Sequence, residues 1–162
     1  MSRLDSFIRR VVAQRDCLNA AAQLVGSQPG VLLEVGLGNG RTYDHLRSLF
    51  PDRAIYVFDR AVVAHPDCIP PAEMLRLGDF RETLPRFLAE GPRAILVHAD
   101  IGSGDKGASL ALAQELAPTL AALILPGGCL VADQPMDAAG LAPLPPPEGA
   151  PPGRYYLYRR VG

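Results

Sequence analysis

The chain has 162 residues, of which 48% are hydrophobic and 20% charged, a balance typical of a globular protein with one core. Its 16 basic and 17 acidic residues give a formal net charge of -1, which argues against the basic face of a nucleic-acid-binding protein. The three cysteines, Cys17, Cys68 and Cys129, are far apart and form no CxxC pair, so neither a disulfide framework nor a zinc site is indicated. We therefore expect a cytoplasmic protein, and no apolar stretch predicts a signal peptide or a membrane contact.

Short apolar runs alternate with helical segments along the chain. An amphipathic helix is predicted first, within residues 1–27, between a Ser2 cap and a stop at Gly26. The elements predicted after it are, in chain order, a strand at 31–35, a helix at 39–50, strands at 54–58 and 74–77, a helix at 81–90, a strand at 94–98, a helix at 108–125 that bends or restarts near Pro118, and a strand at 129–132. The strand runs are continuously apolar, as expected where helices cover both faces of a mostly parallel sheet. The pattern predicts an α/β fold, a doubly wound Rossmann-like sheet of six or seven strands.

The end of the chain changes in composition. Residues 141–153 contain six prolines, which predicts a loop rather than a central strand or a long helix. The aromatic run at 154–161 then predicts a final strand, antiparallel to its neighbour. There is no internal repeat and no sign of a second domain, so residues 1–162 are expected to form a single domain.

A glycine-rich segment, Glu34-Val35-Gly36-Leu37-Gly38-Asn39-Gly40, joins the first strand to the second helix. Glycines suit a sharp turn that a ligand approaches closely, and the start of a helix offers free N–H groups. The spacing is GxGxG; the third glycine of the dinucleotide fingerprint GxGxxG is replaced by Arg41, which argues against a nicotinamide cofactor. A tight turn without any ligand is the alternative.

Acidic residues follow the next two predicted strands. Asp59 ends the second strand, where a carboxylate can accept hydrogen bonds from both hydroxyls of a ribose. Gly78-Asp79-Phe80 follows the third strand, although Asp79 is equally explained as a helix N-cap. Because all of these loops lie at the carboxyl edge of the sheet, where open α/β sheets bind ligands, they predict one shared site.

These motifs together resemble those of the class I S-adenosylmethionine-dependent methyltransferases, over roughly residues 30–135. The resemblance implies S-adenosylmethionine as cofactor, held at its ribose by Asp59 with Arg60 beside it, and at its adenine by the segment Gly78-Asp79-Phe80. It also implies that Asp100, after the fourth strand, contacts the methionine amine. The implied cofactor-binding residues are Glu34, Gly36, Leu37, Gly38, Gly40, Asp59, Arg60, Gly78, Asp79, Phe80 and Asp100.

The catalytic residues predicted from the same resemblance are His98, Asp100 and Asp133. His98 ends the fourth strand and would be a general base, since its pKa lies near working pH; a satisfied, buried histidine is the alternative. The Asn-Pro-Pro-Tyr and Asp-Pro-Pro-Tyr sequences typical of amino-group and base methylation are absent, which favours a small-molecule acceptor.

A second resemblance concerns a metal. Val131-Ala132-Asp133-Gln134 is similar to the segment that closes the fifth strand of magnesium-dependent catechol-type O-methyltransferases. It implies Asp100, Asp133 and Gln134 as oxygen ligands for Mg²⁺, with Lys106 as a base. The favoured alternative is that Asp133 caps the next turn and that no metal is bound.

The leading hypothesis is thus a small-molecule methyltransferase. The alternatives are a non-catalytic S-adenosylmethionine-binding module and, with less support, a nicotinamide-dependent oxidoreductase. With few residues after the fifth strand, the N-terminal helix, alone or with the partner of a homo-oligomer, is expected to cover the cofactor, and Phe7 and Tyr43 are expected to form part of its wall.

Overall fold

The computed structural model describes all residues, 1–162. The helices and strands are, in chain order, α1 (Arg3–Val25), β1 (Val31–Val35), α2 (Arg41–Leu49), β2 (Ile55–Asp59), β3 (Leu75–Leu77), α3 (Phe80–Glu90), β4 (Ala94–Ala99), α4 (Lys106–Leu123), β5 (Ile124–Ala132), β6 (Leu141–Leu144) and β7 (Tyr156–Arg160). Two single turns of 3₁₀ helix, Pro66–Cys68 and Ala72–Met74, lie between β2 and β3.

The strands form one seven-stranded sheet in the order β3-β2-β1-β4-β5-β7-β6. The first five strands of that order are parallel, whereas β7 pairs antiparallel with both β5 and β6. The predicted fold class is confirmed, including the antiparallel last strand. Because β1 to β5 all point the same way, the loops after β1, β2, β3 and β4 meet at one edge of the sheet.

Two apolar layers, one on each face of the sheet, account for the continuous apolar strands. One cluster of 19 buried residues includes Leu33, Phe87 and Leu120, and so joins the sheet to α3 and α4. The other cluster, of 18 buried residues, includes Leu18 and Leu46 and joins the opposite face to α1 and α2. Alternate side chains of β1 enter opposite layers, which is why its sequence shows no polar alternation.

The structure bears on two predictions about proline, of which the first offered a bend or a restart near Pro118. Helix α4 continues through Pro118 without a restart. Proline has no N–H to donate to the carbonyl of Gln114, but Gln114 is exposed, so this carbonyl can accept a hydrogen bond from water instead. The proline-rich segment is not loop throughout, since Leu141–Leu144 forms β6. This strand lies at the edge of the sheet, where Pro143 is tolerated because only one side of the strand is paired.

Helix α1 begins with a reciprocal cap between Ser2 and Asp5 and buries Gln14 and Leu18 against the sheet. It contacts β4, β5 and β7, so its first half crosses the carboxyl edge of the sheet. That placement brings Arg10 and Gln14 to the loops after β1 and β4. None of the helices is long and apolar enough to span a membrane.

Candidate functional site

The glycine loop after β1 requires glycine at two places for different reasons. Gly36 has φ 94° and lies against the backbone carbonyl oxygen of Asp100, which a Cβ atom would strike. Gly38 has φ 50° and nothing within 4 Å of the position a Cβ would take, so its backbone is open to a ligand. The loop therefore packs closely against the backbone of Asp100 at Gly36 and leaves its own backbone accessible at Gly38.

A cleft of about 280 Å³ lies between this loop and α1. Of the predicted residues, its lining includes Gly36, Leu37, Gly38, Gly40, Asp100 and Phe7. It also includes residues that the sequence analysis missed, among them Arg10, Gln14 and Thr42. Tyr43 was wrongly expected in this wall: it is 4% exposed, packs in the core and has the Arg47 guanidinium over its ring.

Asp59 ties the glycine loop to the end of β2. One carboxylate oxygen accepts hydrogen bonds from the backbone N–H groups of Leu37 and Gly38, at 2.8 and 3.3 Å. The other accepts from the N–H of Arg60 at 2.7 Å. A carboxylate has about four acceptor positions, so one remains free, and the existing hydrogen bonds can also be shared with a ligand beside the loop.

The loop after β3 lies next to Arg60. Asp79 caps α3 by accepting from the N–H of Arg81 at 2.8 Å, which confirms the capping alternative for this residue. The same hydrogen bond is the main reason that the pKa of Asp79 is lowered, and the Arg81 and Arg60 guanidinium groups add to it. Phe80, the first residue of α3, is partly buried against the core.

Two predicted site residues, Glu34 and His98, lie in the core instead. Both side chains are 0% exposed. His98 is hydrogen-bonded through Nδ1 to Glu34 and through Nε2 to the Tyr155 hydroxyl at 2.7 Å, and Glu34 also accepts from the Thr42 hydroxyl at 2.8 Å. The alternative of a satisfied, buried histidine is therefore confirmed for His98, and a general base that faces the site is not. Glu34 likewise makes no direct contact with the cleft.

A chain of polar side chains nevertheless connects His98 with the cleft. Gln14 donates through Nε2 to the Tyr155 hydroxyl at 2.7 Å and to Asp100 at 3.2 Å. Arg10 donates to both carboxylate oxygens of Asp100, at 3.1 and 3.2 Å. Arg10 and Gln14 are four residues apart on α1, so helical spacing places them on one face, but only the fold shows that this face meets Asp100.

The Asp133 side chain is hydrogen-bonded to the loop after β4 and does not cap the turn that follows Asp133 in the chain. Its two carboxylate oxygens accept from the backbone N–H groups of Ile101 at 3.1 Å and Gly102 at 2.8 Å. Burial and the nearby charge of Asp100 raise the pKa of Asp133. The prediction that it caps the next turn is therefore wrong.

The predicted magnesium ligands do not form a metal site. Asp100 is paired with the Arg10 cation, Asp133 is occupied by backbone donors, and Gln134 turns its amide nitrogen toward Asp133 at 3.3 Å. The structure also has no group of three or more His, Cys, Asp or Glu side chains arranged to hold a metal ion. This donor set does not fit Mg²⁺, and no step is assigned to it.

A second cavity, of about 460 Å³, adjoins the first and shares Arg10 and Gly102 with it. None of its lining residues is hydrophobic. The side chains that line it come from α1, the loops after β4 and β5, α4 and the segment before β7, and include Arg10, Ser103, Lys106, Asp133, Gln134 and Arg154. It therefore forms a polar chamber beside Asp100.

The buried His98–Glu34 pair predicts a pH dependence of stability. Burial alone would lower the pKa of His98, but the charge and hydrogen bond of Glu34, with Asp100 and Asp133 further away, raise it above its ordinary 6.5. The stabilisation from the imidazolium is then fully present below that value and is lost as pH rises through the pKa of the folded state. We expect the melting temperature to fall more steeply for the native protein than for His98→Gln as the pH rises above 6.5. Parallel curves for the two proteins in thermal unfolding would contradict this charge state.

Comparisons with known proteins agree with the geometry. The model of a family described as S-adenosyl-L-methionine methyltransferase matches residues 1–160. An S-adenosyl-L-methionine methyl transferase from Silicibacter pomeroyi DSS-3 is 46% identical, with a TM-score of 0.94 over 99% of each chain. No curated protein sequence matches this one.

More distant solved structures share the fold alone. TrmN from Thermus thermophilus is 20% identical, with a TM-score of 0.64 over 88% of this chain and 48% of its own. Human methyltransferase-like protein 13, solved in complex with SAH, is 14% identical, with a TM-score of 0.57 over 93% of this chain and 80% of its own.

The family match selects among the three hypotheses. It favours the methyltransferase over the non-catalytic module and the nicotinamide-dependent oxidoreductase, in agreement with the GxGxG spacing and the open backbone at Gly38. The chain belongs to the S-adenosyl-L-methionine methyltransferase family, and its cofactor is S-adenosylmethionine.

Proposed function

We propose that this enzyme transfers the methyl group of S-adenosylmethionine to a small-molecule acceptor bound in the second cavity. The observation that carries the proposal is this cavity of about 460 Å³, next to the glycine-loop cleft. Its volume falls in the range of roughly 300–1,000 Å³ that is usual for small-ligand pockets. The net charge of -1 also favours a small acceptor over a nucleic acid.

Two sets of residues fit the parts of the cofactor: those that line the first cleft and, outside its lining, those of the loops after β2 and β3. The open backbone at Gly38 and the carboxylate of Asp59 would hold the nucleoside, with the ribose hydroxyls donating to Asp59. Asp79 and Phe80 would meet the adenine through a carboxylate oxygen and an aromatic face, with Arg60 at the rim.

The amino-acid end of the cofactor fits the ion pair between Arg10 and Asp100. That end carries one ammonium and one carboxylate group, which match the charges of Asp100 and Arg10. Both side chains line the cleft and are partly exposed, Asp100 to 28% and Arg10 to 39%. Binding would therefore replace one pair of opposite charges with two, without leaving a charge unpaired.

The chemistry comes from the bound cofactor, whose sulfonium makes the methyl group electrophilic. The contribution of the protein is to align the acceptor with that methyl group and to exclude water, since a fixed approach removes much of the entropic barrier. Asp133 lines the acceptor cavity, and its raised pKa suits a group that takes up the proton of the acceptor. His98 has a positioning role only, because it reaches Asp100 through Tyr155 and Gln14.

The test is methyl transfer from S-adenosylmethionine with a labelled methyl group to an extract of the source organism. The extract is first separated by dialysis into a small-molecule fraction and a macromolecular fraction. We expect label in the small-molecule fraction with the native enzyme and much less with Asp59→Ala at the same cofactor concentration. Label in RNA or protein of the macromolecular fraction, or none in either fraction, would contradict the proposal.

A further inference from the structure

The second cavity has a charge that the protein itself does not balance. Three cationic side chains, Arg10, Lys106 and Arg154, line it, against one carboxylate, that of Asp133. Arg10 is compensated by its salt bridge with Asp100 at 3.1 Å. Lys106 and Arg154 form no salt bridge with any carboxylate in the structure.

The surroundings of Lys106 and Arg154 keep these cations at the cavity. Arg154 lies in the segment before β7, is half-buried and donates through Nη1 to the Ser6 hydroxyl of α1 at 3.1 Å. Lys106 is the first residue of α4 and is exposed. One cation is thus held by a neutral partner, while the other is exposed at the start of α4.

Asp133 does not balance both of these cations. Its oxygens are turned to the N–H groups of Ile101 and Gly102 and to the amide of Gln134. Burial and the proximity of Asp100 raise the pKa of Asp133, so it holds a proton more readily than an ordinary aspartate. Even when Asp133 is ionised, as an acceptor of a proton must be, Lys106 and Arg154 outnumber this single carboxylate.

None of the residues that line the cavity is hydrophobic, which argues against an acceptor recognised chiefly by burial of hydrocarbon or aromatic surface. Unpaired Lys and Arg at the same cavity are the usual partners of carboxylate and phosphate oxygens. The excess of positive charge from Lys106 and Arg154 matches an acceptor with an anionic group, whereas a nucleic acid is commonly held by an extended basic surface that contacts several phosphates.

We infer that the methyl acceptor carries a carboxylate or phosphate group, which is bound by Lys106 and Arg154 in the second cavity. This inference rests on the proposed transfer to a small molecule. It adds a chemical class to that proposal, because an acidic metabolite would be selected over neutral and cationic ones.

The experiment divides the dialysable fraction of the extract on an anion-exchange resin before the reaction. The bound fraction and the flow-through are then offered separately, with labelled S-adenosylmethionine, to the native enzyme, Lys106→Gln, Lys106→Gln with Arg154→Gln, and Arg86→Gln. Arg86 is an exposed arginine of α3 outside both cavities and serves as the matched control. Calorimetric titration with S-adenosylhomocysteine checks that each variant is folded and binds the nucleoside.

We expect the acceptor in the bound fraction, and a loss of kcat/KM of about tenfold for each cation removed, as for a charge-assisted hydrogen bond. Arg86→Gln should match the native enzyme, and all proteins should bind S-adenosylhomocysteine. Treatment of the bound fraction with phosphatase distinguishes the two kinds of anionic acceptor. It should abolish labelling of an acceptor that carries a phosphate group and leave labelling of a carboxylate acceptor unchanged.

Label confined to the flow-through, or unchanged kcat/KM in the double variant, overturns the inference while leaving small-molecule transfer intact. Label found only in macromolecules overturns the proposed function itself. The two failures are therefore distinguishable.

Discussion

Replacing Glu34 with alanine is expected to lower the free energy of unfolding by about 3–5 kcal/mol, the usual cost of removing one member of a buried ion pair. Glu34 and His98 are both fully buried and hydrogen-bonded to each other. The substitution leaves the imidazole, whose pKa is raised by Glu34, without its counter-charge, and also leaves the Thr42 hydroxyl without its acceptor. Chemical denaturation followed by circular dichroism measures the loss.

Glu115→Ala is the matched control, because Glu115 makes an exposed salt bridge with Arg81 at 2.9 Å. Such surface pairs contribute about 0–1 kcal/mol, so this variant should remain close to the native protein. The double variant Glu34→Ala with His98→Ala should lose less than the sum of the two single losses, since the second substitution removes the unpaired partner. If Glu34→Ala and Glu115→Ala are equally mild, the buried pair does not hold the fold together.

Asp59→Ala is expected to weaken binding of S-adenosylhomocysteine by about a hundredfold or more. Two hydrogen bonds from ribose hydroxyls to a charged acceptor are worth about 1.5–3 kcal/mol each. The variant also releases the N–H groups of Leu37 and Gly38, which Asp59 holds in the native loop. Isothermal titration calorimetry of both proteins with S-adenosylhomocysteine measures the change.

Asp52→Ala is the control for this experiment, because Asp52 is an exposed aspartate after α2 that makes no salt bridge. It should bind with native affinity, and Asp59→Asn should fall between the two because the amide keeps one acceptor oxygen but loses the charge. Affinity of Asp59→Ala within a few-fold of the native value would show that the ribose is held elsewhere.

Most strands could be predicted because their signals are local. The apolar runs of β1, β2 and β4 lie in a sheet covered on both faces, and the predicted bounds agree with the structure within one residue. The helix caps at Ser2 and Asp79 also depend on neighbours only a few residues away. The edge strand β6 was missed because its sequence is rich in proline, and its pairing with β7 bridges residues that are far apart along the chain.

The sequence by itself determined the fold class, the glycine loop and the position of Asp59, because each of these depends on residue type within a short window at the end of a strand. Only the tertiary structure decided what lies behind and above that loop. Packing of α1 and of the segment before β7 brings Arg10 and Gln14 to Asp100, and Tyr155 to His98. Tyr155 is 57 residues from His98 along the chain and 141 residues from Gln14. No sequence period encodes which face of a helix meets which loop; that follows from how the apolar layers close on the sheet. The same closure buries His98, which the sequence analysis had expected at the site, and places Lys106 and Arg154 around the cavity beside it.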